Sequence, residues 1–131
     1  MRVLVVEDDQ SVRETLGIVL QAYQHQADLA EDEDSALAVL NRSVKDPAAW
    51  PDVLLLDLKL QKGTGEEVYR SIQSHFGRVP PTVVISAAQE GAYRASQLPN
   101  VKFLAKPYTV EELLAVLESR VSESAPSSKT A

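Results

Sequence analysis

The stretch Asp52-Val53-Leu54-Leu55-Leu56-Asp57-Leu58-Lys59-Leu60 constrains the fold more than any other part of the chain. An uninterrupted apolar run ends in a carboxylate, and Gly63 and Gly65 follow shortly after. Continuous apolar character suits a strand covered on both faces, as in a parallel sheet between helix layers, whereas a strand with one wet face would alternate. The run is short for a helix, and the glycines punctuate its end. Asp57 is then expected at the carboxyl end of a central strand, the edge where open α/β sheets place their ligands. One strand-terminal aspartate is more often a turn or capping residue. The other strand ends decide between the two.

Read in order, the chain alternates strand and helix. Arg2 to Val6 is an apolar run ending in Glu7-Asp8-Asp9. Ser11 and Glu14 have capping-box spacing, and Val12, Leu16, Val19, Leu20 and Tyr23 form a stripe at helical period. A weaker strand is expected from Gln26 to Ala30 and a helix from Ser35 to Arg42 that buries Ala36, Leu37 and Leu40. Ser43 to Pro51 is a long connection broken by Pro47 and Pro51, with Trp50 covering the edge of the core. Beyond Asp57, Thr64 and Glu67 repeat the capping-box spacing ahead of Val68, Ile72 and Phe76. Strands are expected at Thr82 to Ser86 and Val101 to Ala105, with a short helix around Glu90 to Ser96 between them. Thr109 with Glu112 opens a last helix whose stripe is Val110, Leu113, Leu114, Leu117 and Val121. Residues 1–121 read as one domain, and 122–131, rich in Ser and Ala, as a flexible tail. The βαβαβαβαβα order implies a doubly wound α/β domain with a five-stranded parallel sheet.

Composition removes several function classes. At 131 residues with 44% hydrophobic content the chain can build a proper core, and without cysteine it has neither disulfides nor thiolate metal sites. No apolar stretch approaches membrane-spanning length, which points to the cytoplasm and no membrane partner. A formal net charge of −6, with Lys and Arg scattered, gives no electrostatic reason to bind nucleic acid directly. His25 and His75 lie on no strand end and lack metal-ligand spacing.

The carboxyl ends of parallel strands share one edge, so Glu7, Asp8, Asp57, Ser86 and Lys106 are expected around a common crevice. Two carboxylates ~4 Å apart repel by about 4 kcal/mol at an effective dielectric near 20. Such a cluster must raise a pKa, bring in a cation, or both. Hard oxygen ligands with open positions suit Mg²⁺ and a phosphate-bearing partner. A carboxylate can also accept a phosphoryl group covalently, with an ammonium and a hydroxyl holding the transferred oxygens.

On these motifs the sequence resembles the receiver domain of bacterial two-component response regulators, of the single-domain, chemotaxis-regulator-like type. The resemblance rests on Val5-Val6-Glu7-Asp8-Asp9, on Leu55 to Leu60 with Gly65, on Val84-Ile85-Ser86-Ala87 and on Ala105-Lys106-Pro107-Tyr108. Each is common alone; four in order, each closing the right strand, are specific. The resemblance implies a flavodoxin-like fold with strand order 2-1-3-4-5. It implies Asp57 as phosphoacceptor, Ser86 and Lys106 as the groups that engage the phosphoryl oxygens, and no enzymatic role beyond the domain's own phosphorylation and dephosphorylation. Mg²⁺ would be held by Asp8, Asp57 and the backbone carbonyl of Lys59, and by Glu7 through water. Ser86 and Phe103 would form the switch, and Lys106-Pro107 would be a cis peptide. The implied partners are a histidine kinase or histidine phosphotransfer protein, and a downstream protein or second receiver. The expected output face is the helix near Tyr93 with Lys102 and Tyr108.

The chain also departs from the common pattern. Gln61 stands where proline is frequent, an expected loosening of the loop. Lys59 and Ala88 occupy positions that tune phosphoryl loss, and Leu98-Pro99-Asn100 replaces a Gly-Ala pair before the last strand. A haloacid-dehalogenase-type phosphatase would need an acid where Lys59 stands. A flavodoxin-like cofactor binder would need a phosphate loop where Glu7-Asp8-Asp9 stands. A pseudo-receiver, binding partners without phosphorylation, is the remaining alternative, although such domains usually lack pocket residues that are present here. The start at Met1 directly before the first strand favours a stand-alone regulator over a receiver cut from a longer protein.

Overall fold

The five apolar runs form five parallel strands: Arg2–Val6 (β1), Gln26–Ala30 (β2), Val53–Asp57 (β3), Thr82–Ala87 (β4) and Val101–Lys106 (β5). They are hydrogen-bonded in the order β2-β1-β3-β4-β5. The helices are Gln10–Ala22 (α1), Glu33–Ser43 (α2), Gly65–Phe76 (α3), Ala88–Ser96 (α4) and Val110–Ser124 (α5), with a short 3₁₀ turn at Pro47–Ala49. This computed structural model describes residues 1–124, apart from the side chains of residues 88, 89 and 122–124. The expectations for the Ala88 side chain and for residues 125–131 lie outside the described residues.

All five β3 residues are buried, because helices cover both faces of the central strand. The pleat sends alternate side chains to opposite layers. Leu4, Val6, Leu54, Leu56 and Val84 pack with α2, α3 and α4, while Val3, Val5, Val53, Leu55, Val83, Ile85 and Leu104 pack with α1 and α5. Leu54, Leu55 and Leu56 are at most 1% exposed, and each contributes about 2 kcal/mol by area removed from water. Trp50 closes the amino-terminal end of the sheet. Its ring meets Phe76 edge-on at 5.6 Å between centroids and carries the Arg78 guanidinium 4.1 Å from its centre.

Helix starts follow their caps. Thr64 and Glu67 form the expected capping box on α3, and Thr109 and Glu112 exchange the same pair of bonds ahead of α5. Two starts differ from expectation. Asp9 stands at the helix entry, as its place after the Glu7-Asp8 pair leads one to expect, and caps α1 by accepting from the Val12 N–H, whereas the Ser11–Glu14 capping box does not form and Gln10 bonds the Glu14 side chain. The helix therefore begins earlier, and its buried stripe is Leu16, Gly17 and Leu20, while Val12 and Tyr23 are exposed. Asp32 caps α2 in a capping box with Ser35, so that helix opens at Glu33. The last helix runs through Ser124, three residues past the expected 121 boundary. Before β5, Asn100 takes a left-handed conformation at φ 56°, a backbone position where asparagine is among the tolerated side chains.

Candidate functional site

Register and pleat decide which strand-end side chains meet. Val6 pairs with Leu56, so Glu7 and Asp57 follow side by side at the ends of β1 and β3. Both continue the alternation of Val5 and Leu55 towards the α1–α5 layer. Asp57 pairs with Ile85, Ile85 with Leu104, and Lys106 stands two residues further along β5 on the same side as Leu104. Two strand residues span about 6.6 Å, a gap that the long lysine side chain bridges by reaching back. Its Nζ lies 2.8 Å from Asp57 Oδ2. Glu7, Asp8, Asp57, Lys59 and Lys106 together line one crevice, with Leu60 and Gln61 at its rim.

Asp57 is 3% exposed and its two oxygens are both engaged. Oδ1 accepts from the Lys59 backbone N–H at 2.9 Å, and Oδ2 accepts from Lys106. Burial pushes the Asp57 carboxyl up, but hydrogen bonds from Glu7, Lys106 and Lys59 outweigh it and hold it below the usual range. Glu7 takes the opposite course. Burial first, then the hydrogen bond to Asp57, push its pKa to about 8, against the lowering by the Asp9 N–H that donates to Oε1 at 3.0 Å. Glu7 thus keeps a proton and donates it to Asp57. Burial lowers Lys106, yet its bond to and charge attraction for Asp57 raise it overall, so it stays an ammonium.

The acidic pair is held through its backbone as well. Arg13, one turn into α1, donates to the carbonyls of Glu7 and Asp8 at 2.9 and 3.3 Å. The Asp8 side chain accepts from the Gln61 backbone N–H at 2.5 Å. Among the described residues no three His, Cys, Asp or Glu side chains converge as a metal cage. A hard dication needs none, since Mg²⁺ is satisfied by one or two carboxylates, a carbonyl and retained waters. Asp8, Asp57 and the Lys59 carbonyl could supply that set, since Asp8 and Asp57 line the same crevice as Lys59. The donors fit Mg²⁺.

Ser86 and Phe103 lie on the other side of the sheet. Ser86 continues the alternation of Val84, and Phe103 packs against the cluster formed with α2, α3 and α4. They approach one point on α4. A Cβ placed on Gly91 would lie 2.5 Å from Ser86 Cβ and 2.6 Å from Phe103 Cε1. The glycine is what lets the helix backbone sit against both. Tyr108, expected beside Tyr93, instead packs with the α1–α5 layer and lines a groove with Val12, Leu16 and Leu113. The chain has turned past the end of β5 before reaching it. Tyr93 on α4 is 71% exposed, and the Lys102 ammonium donates to Ser119 on α5.

Sequence reasoning missed Arg94. Its guanidinium grips Glu66 bidentately, at 2.6 and 2.7 Å, and donates to the Leu58 carbonyl at 3.0 Å. It thereby ties α4 to the start of α3 and to the residue after Asp57. It also missed Arg13, Gly91 and the Gln61 amide. No local spacing signals any of these, because each contact joins parts of the chain that only the fold brings together or uses backbone atoms that every residue carries. Lys106-Pro107 is a cis peptide.

A doubly wound parallel sheet with acidic side chains and a lysine gathered at its carboxyl edge defines the class of protein. The chain belongs to the response regulator receiver domain family, which matches residues 3–118. It is 31% identical over 128 residues to the phosphate regulon transcriptional regulatory protein PhoB of Escherichia coli, covering 95% of this chain and 53% of PhoB. It is 33% identical over 128 residues to the response regulator MprA of Mycobacterium leprae, covering 96% of this chain and 53% of MprA. The chain thus spans about half the length of these curated relatives. Among solved structures, the receiver domain of NtrX from Brucella abortus superposes with a TM-score of 0.77 at 28% identity, over 92% of this chain and 98% of that one.

Proposed function

We propose that the domain is a phosphoacceptor of a two-component phosphorelay in the cytoplasm. The observation that carries this reading is the buried Asp57 carboxylate, paired with Lys106 at 2.8 Å in a crevice shared with Glu7 and Asp8. An Asp57 oxygen attacks the phosphorus of a phosphohistidine on a histidine kinase or phosphotransfer protein. A P–O bond forms, the P–N bond breaks, and the imidazole leaves with its electron pair. Mg²⁺ would be held by Asp8, Asp57 and the Lys59 carbonyl, and through water by Glu7, and would supply charge neutralisation for the transferred oxygens. Lys106 pairs with one of those oxygens, and water later returns Asp57 to the carboxylate by hydrolysis of the acyl phosphate. The domain assists only this chemistry on itself.

The output follows from the second face. Phosphoryl oxygens on Asp57 are new acceptors that Ser86 can reach if the end of β4 moves inward, and Phe103 then fills the space beside Gly91. That shift alters the α4 face for a downstream protein or a second receiver. Intact-mass measurement after incubation with a small phosphodonor and Mg²⁺ tests the reading. One phosphoryl adduct is expected on the native chain and none on Asp57→Asn. A native chain that stays unmodified by both small donors and kinases would leave the phosphorylation-independent binding module instead.

A further inference from the structure

The loop after β3 is a small flap. Lys59 and Thr64 bridge antiparallel at its base, Gly63 turns it at φ 78°, and the Gly65 N–H returns to the Leu58 carbonyl at 3.0 Å. Near its tip the flap makes a hydrogen bond to a distant part of the chain, from the Gln61 backbone N–H to Asp8 Oδ2, across 53 residues of sequence. The acceptor of this tie is an ionisable carboxylate. Asp8 borders two hollows: the crevice with Glu7, Asp57 and Lys106, and a second one with Glu31, Asp32 and Lys62. Gln61 borders both too, so the tie forms the wall between them.

The donor is a main-chain N–H, so the Gln61 side chain is incidental and only a residue without an amide proton would abolish the bond. The bond joins the tip of the loop to Asp8. We infer that the Gln61 amide is a positioning group for Asp8: it latches the carboxylate to the flap in the cation-free domain, and a divalent cation at Asp8 competes with the latch and frees the flap tip. The inference rests on the Mg²⁺ site proposed above. A carboxylate oxygen that accepts a charge-assisted bond has given part of its charge to that donor. A cation drawing on the same carboxylate must weaken the bond or bind less tightly. The latch therefore lowers the apparent affinity of the crevice for Mg²⁺ and couples cation entry to the mobility of the loop that borders Asp57.

The test is residue-resolved amide exchange on the whole domain, without and with saturating Mg²⁺ as the only ligand. The Gln61 amide is expected to be protected without the cation and to lose at least tenfold of that protection with it. The Gly65 amide, at the base of the flap, should keep its protection. A Gln61 amide unprotected at the outset, or equally protected when Mg²⁺ is bound, would overturn the latch. Mg²⁺ shifts at Asp8 and Asp57 separate failure of the latch alone from failure of the metal site, because both readings fall if no resonance near the crevice responds. Gln61→Pro removes the donor and should tighten the apparent Mg²⁺ dissociation constant roughly tenfold, the size expected of one hydrogen bond to a charged group. Gln61→Ala retains the N–H and should keep the protected amide. An unchanged or weaker dissociation constant in a folded Gln61→Pro domain would refute the competition.

Discussion

Replacing Gly91 by alanine sets two effects of known size against each other. Alanine in a helix interior is favoured over glycine by about 0.5–1 kcal/mol, and Gly91 lies inside α4. Against this, the new methyl would sit 2.5 Å from Ser86 Cβ, 2.6 Å from Phe103 Cε1 and 2.9 Å from Ser86 Oγ. Carbon atoms in contact prefer about 3.5–4.0 Å, so a gap of about 1 Å must open between α4 and the ends of β4 and β5. Ser86 Cβ has no freedom to swing away, because its position is fixed by a paired strand. Forcing such room into a packed site costs about 1–3 kcal/mol. The balance is a loss near 1 kcal/mol, with Phe103 displaced outward. Urea unfolding followed by far-ultraviolet circular dichroism reads the first, and ring proton shifts of Phe103 read the second. In a Phe103→Ala background the methyl no longer meets the Phe103 ring, so the cost should fall by about 1 kcal/mol in a double-mutant cycle. A gain in stability for Gly91→Ala in the native background, with the Phe103 environment unchanged, would refute the reasoning, since propensity alone would then be acting.

Two further expectations concern charge. Glu7 has its pKa raised from 4.5 to about 8, so the folded state holds a proton that the unfolded state has already lost. Its contribution to stability is complete below pH 4.5 and is lost as pH rises towards 8; without Mg²⁺, Glu7→Gln should flatten the fall in urea midpoint across that window, and an unchanged slope would place the proton elsewhere. Arg94→Met should lower stability by about 1 kcal/mol, since the pair with Glu66 is only partly exposed and the Leu58 carbonyl also loses a donor. Glu66 is held below its usual range chiefly by the Arg94 hydrogen bond, so this stabilisation is present above the unfolded pKa and disappears as pH falls through the folded one; an identical acid-unfolding profile for Arg94→Met would remove the pair from the account.

The strands were legible because burial on two faces demands unbroken apolar runs, and Val53 to Leu56 can do little else. Thr64 with Glu67 and Thr109 with Glu112 were legible because capping chemistry is complete within four residues. The same rule misplaced the start of α1, where Asp9 outcompetes a correctly spaced Ser11 by standing at the turn itself. Glu7, Asp8, Asp57 and Lys106 could be gathered on paper because parallel strands share an edge. Pleat parity separates Ser86 and Phe103 from Lys106, and it was available by counting in twos from Val84 and Leu104. Contacts such as Gln61 with Asp8 or Arg94 with Leu58 had no such handle, since they depend on loop paths and side-chain reach.

The same parity limits how the chain can change length. Deleting one residue within β4 would move Ser86 into the place of Ile85 under α5 and turn an apolar side chain towards Gly91, so every later strand residue would exchange layers. Insertions in the connection from Val44 to Asp52, at the far end of the sheet, disturb no such phase. Length variants selected for retained folding should therefore accumulate at the amino-terminal ends of the strands and be nearly missing from β3, β4 and the residues that follow them.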